Sequence, residues 1–134
     1  MYLNRLNKEE QKNYLELAHL AANYNENFAN EQKELIRAYR KEMLLTRDDY
    51  EIKDKSYDDI INFYKKCSKE ERNIVFIEIV SLILSDNNYD EKEKEVIDKI
   101  RRDFSISEKK HDELVNKINT LNDTYNYFEN FINQ

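Results

Sequence analysis

Asp86, Asn88, Asp90 and Glu93 place four hard oxygen donors within eight residues, in the stretch Ser85-Asp86-Asn87-Asn88-Tyr89-Asp90-Glu91-Lys92-Glu93. Carboxylate and amide oxygens at that density suit a divalent cation such as Ca²⁺ or Mg²⁺, which both prefer oxygen ligands. The spacing is not that of an EF-hand. Counting from Asp86, the sixth position is Glu91 where that loop needs glycine, and the twelfth is Ile97 where it needs a bidentate glutamate. The same oxygens have a second use. Asp90 with Glu93 three residues on forms a capping box for a following helix, and Asp86 can accept turn amides. The sequence favours capping, with a metal site at Asp86, Asn88, Asp90 and Glu93 as the alternative.

Other chemistries find little to work with. The chain has no glycine, so it has no glycine-rich phosphate loop. His19, His111 and Cys67 stand far apart in sequence and build no zinc ligand spacing. Cys67 has no activating histidine nearby and no elbow motif around it, so it reads as a small buried or half-buried thiol. No catalytic residue is assigned, and a non-enzymatic protein is expected.

The elements that must position the acidic stretch are helical. Gly and Pro are both absent from 134 residues, which disfavours the tight turns of an all-β domain. Ser68-Lys69-Glu70-Glu71 opens a helix whose body, Asn73 to Leu84, is apolar almost all round and therefore has to be enclosed. The acidic turn follows, and then an amphipathic helix with Val96, Ile97, Ile100 and Phe104 on one face. Upstream, Asn7 and Glu10 open a helix carrying Tyr14, Leu17, Ala18 and Ala21. A second helix runs from about Asn30 to Leu44, with Leu35, Ile36, Tyr39 and Met43 as its stripe. Residues 45–55 read as a connection, and a third helix starts at Ser56. The last helix begins at Ser107. Its stripe Leu114–Ile118–Leu121–Tyr125–Phe128–Ile132 steps by four and three and is expected to dock on the domain's own core, with a partner contact as the minority reading.

Sliding the chain by 61 residues aligns the apolar phases of about 12–46 with those of about 73–107. Leu15 then meets Phe76, Ala18 meets Ile79, Ile36 meets Ile97 and Met43 meets Phe104. The expected fold is a single all-α domain over 1–134, a compact bundle of about six helices built from two related hairpins plus covering helices.

The formal net charge of −6 argues against a nucleic-acid partner. With one cysteine, no intramolecular disulfide can form, and no apolar run is long enough to span a bilayer. A cytoplasmic protein is expected, without membrane insertion, as a monomer or weak dimer with an unidentified protein partner.

The apolar helix, the turn Asp86-Asn87-Asn88-Tyr89-Asp90-Glu91-Lys92-Glu93 and the amphipathic helix after it resemble the tellurite-resistance protein B-like (TerB-like) family. The opening Tyr2 to Asn7 and the segment Leu15 to Ala22 look like its short stand-alone bacterial members. A degenerate copy of the turn stands at Asn25 to Gln32, with amides where Asp86 and Glu93 carry acids. The resemblance implies a compact helical domain, a link to tellurite or chemical-stress functions, a divalent-cation site of acidic residues and protein partners. Asn87 stands where the family carries glycine, and Asn tolerates the left-handed backbone next best.

Overall fold

The computed structural model describes residues 1–24, 30–86 and 89–134, with the side chains of 30–32 and 86 not described. Among these residues there are six α-helices and no strand: α1 Lys8–Asn23, α2 Asn30–Met43, α3 Tyr57–Lys65, α4 Lys69–Ile83, α5 Glu91–Asp103 and α6 Glu108–Ile132. Short 3₁₀ turns occupy Leu3–Arg5 and Leu84–Asp86. No helix among the described residues is long and apolar enough to cross a membrane.

Side-chain caps set most helix starts. Asn7, Ser68 and Asp90 each accept the N3 amide while the N3 glutamate returns a bond to the cap amide, completing capping boxes at α1, α4 and α5. Ser56 and Ser107 supply the side-chain half alone. Acids on exposed faces pair with a base three residues on, as in Glu9–Lys12, Glu34–Arg37 and Glu91–Lys94.

Helix α4 is the centre. Ile74, Val75, Phe76, Ile79, Val80, Leu82 and Ile83 are all buried, and they share one apolar cluster with Leu15, Leu17 and Ala18 of α1, Tyr39 and Met43 of α2, Ile60 and Tyr64 of α3, and Ile97, Ile100 and Phe104 of α5. Small Ala18 and Ala21 face this cluster from α1, and α1 makes contact with α2, α3 and α4. Glu78, the one acid in the apolar run of α4, is buried and accepts the Tyr2 amide at 2.8 Å.

A set of interactions recurs at an interval of 61 residues. Lys8 Nζ donates to Met43 O at 2.5 Å, and Lys69 Nζ donates to Phe104 O at 2.7 Å. Leu45 N–H donates to Arg40 O, and Ile106 N–H to Arg101 O, both at 2.9 Å. Leu44 and Ser105 then carry positive φ, 56° and 59°. These are Schellman closures of α2 and α5 made without glycine.

The expectation that the α6 stripe docks along its whole length is overturned. Ile118 is buried and Asn122 Nδ2 reaches Leu84 O at 3.4 Å, but from Asp123 onward every residue of α6 is exposed. Helix α6 packs on α4 and on the turn Leu84–Asp86, and past Asn122 it has run beyond both, so only its first half finds a seat.

Candidate functional site

Of the four expected metal ligands, Asn88 and the side chain of Asp86 lie outside the described residues, as do Asn87 and the degenerate copy from Asn25 to Ala29. Asp90 and Glu93 are seen in a capping box: Asp90 Oδ1 accepts Glu93 N–H at 2.8 Å, and Glu93 Oε1 accepts Asp90 N–H at 3.3 Å. Glu93 is buried, and Tyr89 beside it brings its hydroxyl 3.4 Å from His111 Nε2. His19 of α1 sits 3.3 Å from Asp54, a pairing at the surface.

A different constellation forms where the N-termini of α1 and α4 meet. The N3 glutamates of their two capping boxes, Glu10 and Glu71, converge on Cys67, and one ligand atom from each residue lies within 4.8 Å of the other two. Each glutamate already uses one oxygen in its box: Glu10 Oε1 accepts Asn7 N–H at 2.9 Å, and Glu71 Oε1 accepts Ser68 N–H at 2.9 Å. Glu10 is fully buried, while Cys67 and Glu71 are half-buried. The other oxygen of Glu10, Oε2, is out of solvent and is reached by no N–H or hydroxyl donor. Cys67 Sγ lies 3.6 Å from Phe63 O and also within hydrogen-bonding reach of the Glu10 carboxyl. Tyr64 of α3 ties the site to the core by donating its hydroxyl to Glu10 O at 2.8 Å. The group floors an open cleft whose rim includes Asn7, Lys8, Glu9 and Lys66.

The two carboxyl groups are pushed apart in acidity. Loss of water and the adjoining Glu71 carboxylate raise Glu10, against the opposing pull of the Asn7 amide. Contact with Glu10 and the hydrogen bonds from Ser68 hold Glu71 down. Burial, with the two carboxylates close by, pushes the Cys67 thiol up to about 11. The thiol is therefore no ready nucleophile at neutral pH. As it stands, the arrangement can share a proton between two carboxyl groups, or accept a cation in that proton's place.

The sequence discloses both capping boxes, but their meeting lies in the tertiary packing. A signal was available: Asn7 and Glu10 fall on Ser68 and Glu71 at the same shift of 61 that aligns the apolar stripes. Comparison of the chain with protein-family models, curated proteins and solved structures finds no match.

Proposed function

We propose that this chain is a non-enzymatic, helical protein-association module whose contact surface is the distal half of α6 and whose occupant is a second copy of the chain. The observation that carries this is the exposure of Tyr125, Tyr127, Phe128, Phe131 and Ile132, each 52–71% accessible, on a helix that runs past its last contact with the body. Ten helical residues, 123–132, at 1.5 Å each extend it by about 15 Å.

Area, pattern and charge favour a second copy. Taking about 150–250 Å² for each aromatic side chain, the exposed face with Leu121 amounts to roughly 700 Å² per protomer, close to the about 800 Å² each partner gives a standard interface. Ile118, Leu121, Tyr125, Phe128 and Ile132 keep the three–four spacing of a coiled-coil seam, which a helix of the same kind fills knobs into holes. Tyr127 and Phe131, with ring centroids 6.4 Å apart, widen the face on one side. From Ile118 to the last residue the only charged side chains are Asp123 and Glu129, both off the seam, so two copies meet without burying a charge. The resemblance to TerB-like domains, with their protein partnerships, accords with an association role. The same resemblance also motivates a cation at Asp86–Glu93, whose described members are engaged in capping.

Sedimentation equilibrium of the full chain over a wide concentration range tests the proposal. A monomer–dimer equilibrium is expected, and Phe128→Asp weakens it by roughly 30-fold or more, the effect of losing one central aromatic anchor worth about 2 kcal/mol. Helix content stays unchanged, since the ring contact of Phe128 is with Tyr127 of the same exposed stretch, and the unfolding midpoint falls only by what the lost dimer contributed. A monomer at all concentrations, or a dimer indifferent to Phe128→Asp, overturns it.

A further inference from the structure

We propose that Glu10, Cys67 and Glu71 form a zinc-binding site at the junction of α1, α3 and α4, independent of the association surface. Two carboxylates close together are often only a charged patch. Here one of them, Glu10, is buried, its Oε2 is reached by no N–H or hydroxyl donor, and beyond its own capping bond its carboxyl meets the Glu71 carboxyl and the Cys67 thiol. A buried oxygen left so loses the hydrogen bonds that water would supply, and a proton or a cation restores them.

The donor set chooses between these and names the ion. Ligand atoms 2.0–2.3 Å from a tetrahedral centre lie about 3.3–3.7 Å apart. Starting within 4.8 Å of one another, the three atoms reach that spacing by side-chain movements of less than about 1 Å each. Lys8 and Lys66 on the rim, Arg72 close to Cys67, and the positive ends of two helices all oppose a hard cation held by charge alone. A thiolate adds a bond of another kind, which Zn²⁺ takes and Ca²⁺ or Mg²⁺ does not. Three protein ligands leave the fourth position to water from the cleft.

The two halves of the chain differ at this point. Position 6, the counterpart of Cys67 at the shift of 61, is Leu6, which is buried in the core. A symmetric junction would carry two apolar residues beside the glutamates. The cysteine stands on one side only, so a single ion is expected per chain.

Binding requires the thiolate, so zinc releases at least one proton at pH 7. The test is calorimetric titration of the chelator-stripped full chain with zinc chloride in two buffers of different ionisation heat. One zinc per chain is expected, with a buffer-dependent enthalpy that reports the released proton. Cys67→Ser weakens binding by roughly 100-fold or more, and Glu10→Gln, which keeps an oxygen for the Asn7 amide, by roughly 10–100-fold. Cobalt(II) in place of zinc shows thiolate charge-transfer absorption that Glu10→Gln perturbs and Cys67→Ser abolishes. Circular dichroism of both variants keeps the unliganded fold in view. Absence of stoichiometric binding overturns the proposal. So does binding that Cys67→Ser weakens and Glu10→Gln leaves untouched, which marks a surface thiol capturing metal without the buried carboxylate.

Discussion

Glu16 is the most informative residue to perturb, because one carboxylate fixes an entire irregular segment. It is buried in α1 and accepts the Tyr50 hydroxyl at 2.5 Å, the Lys53 amide at 2.8 Å and the Lys55 amide at 3.0 Å. Residues 51–56 form no helix, so their amides need an outside acceptor. Glu16→Gln keeps the shape but leaves one acceptor oxygen, and sets an N–H₂ group against at least one donor. A hydrogen bond to a charged group contributes about 1.5–3 kcal/mol, and an unpaired buried donor costs a similar amount, so a loss of roughly 2–3 kcal/mol is expected. For a chain of this size that corresponds to about 6–15 °C in melting temperature. Tyr50→Phe removes a single donor and should cost about half as much. Chemical denaturation followed by circular dichroism measures both. The acid dependence supplies a second check. Loss of water pushes the pKa of Glu16 up, but the Tyr50 hydroxyl and the two amides more than offset this, and the carboxyl sits below its ordinary 4.5. A group lowered in the folded state stabilises above its unfolded value and loses that contribution as pH falls through the folded one. The gap between wild type and Glu16→Gln should therefore be flat above pH 5 and close below 4.5. A Glu16→Gln variant within about 0.5 kcal/mol of wild type at pH 7 would refute the reasoning.

Two further perturbations test the frame. Phe76→Ala, at the buried centre of α4, should cost roughly 3–5 kcal/mol in urea denaturation, and a loss under about 0.5 kcal/mol would misplace that helix. Leu44 is exposed and holds φ at 56°, so Leu44→Gly removes a left-handed penalty of about 1–2 kcal/mol at an entropic cost of about 0.5–1. A net gain of up to about 1 kcal/mol in unfolding free energy is expected, and destabilisation would mean the Leu44 side chain packs usefully.

Much of the frame was legible because local chemistry and tertiary structure agree. Asn7, Ser56, Ser68, Asp90 and Ser107 announce helix starts with their own side chains, and each cap is made. The near-uniform apolarity of Asn73–Leu84 predicts an enclosed helix, and α4 is one. Helix ends were harder. With no glycine to mark a left-handed closure, Leu44 and Ser105 carry positive φ under ordinary side chains, and nothing in their identity signals it. The α6 stripe shows where periodicity stops informing: Leu114, Ile118 and Phe128 belong to one pattern, yet the body covers the first two and leaves Phe128 in water. A stripe tells which face wants burial, and only the packing tells whether the chain itself can supply the cover. The Glu10–Cys67–Glu71 group was hidden because it joins the first turns of α1 and α4 with the turn that follows α3, each with a local explanation of its own.

One departure between the two halves, in the segments that follow α2 and α5, has a physical correlate at position 16 and its counterpart 77. After α2, Thr46 caps a single turn through the Asp49 amide, and the chain then runs irregularly along α1. After α5, Ser107 makes the equivalent bond to the Lys110 amide, and the chain continues as the 25 residues of α6. The surface each segment meets differs accordingly. The first meets the carboxylate of Glu16, which can satisfy free amides and so permits backbone without helix. The second meets Ile77, which shares a cleft wall with Leu114 of α6 and offers no acceptor at all. Backbone laid on such a surface has to satisfy its own amides, and a helix does so internally. The acid-for-isoleucine difference thus goes with a pinned connection on one side and a long helix on the other, and that helix carries its aromatic face beyond the body.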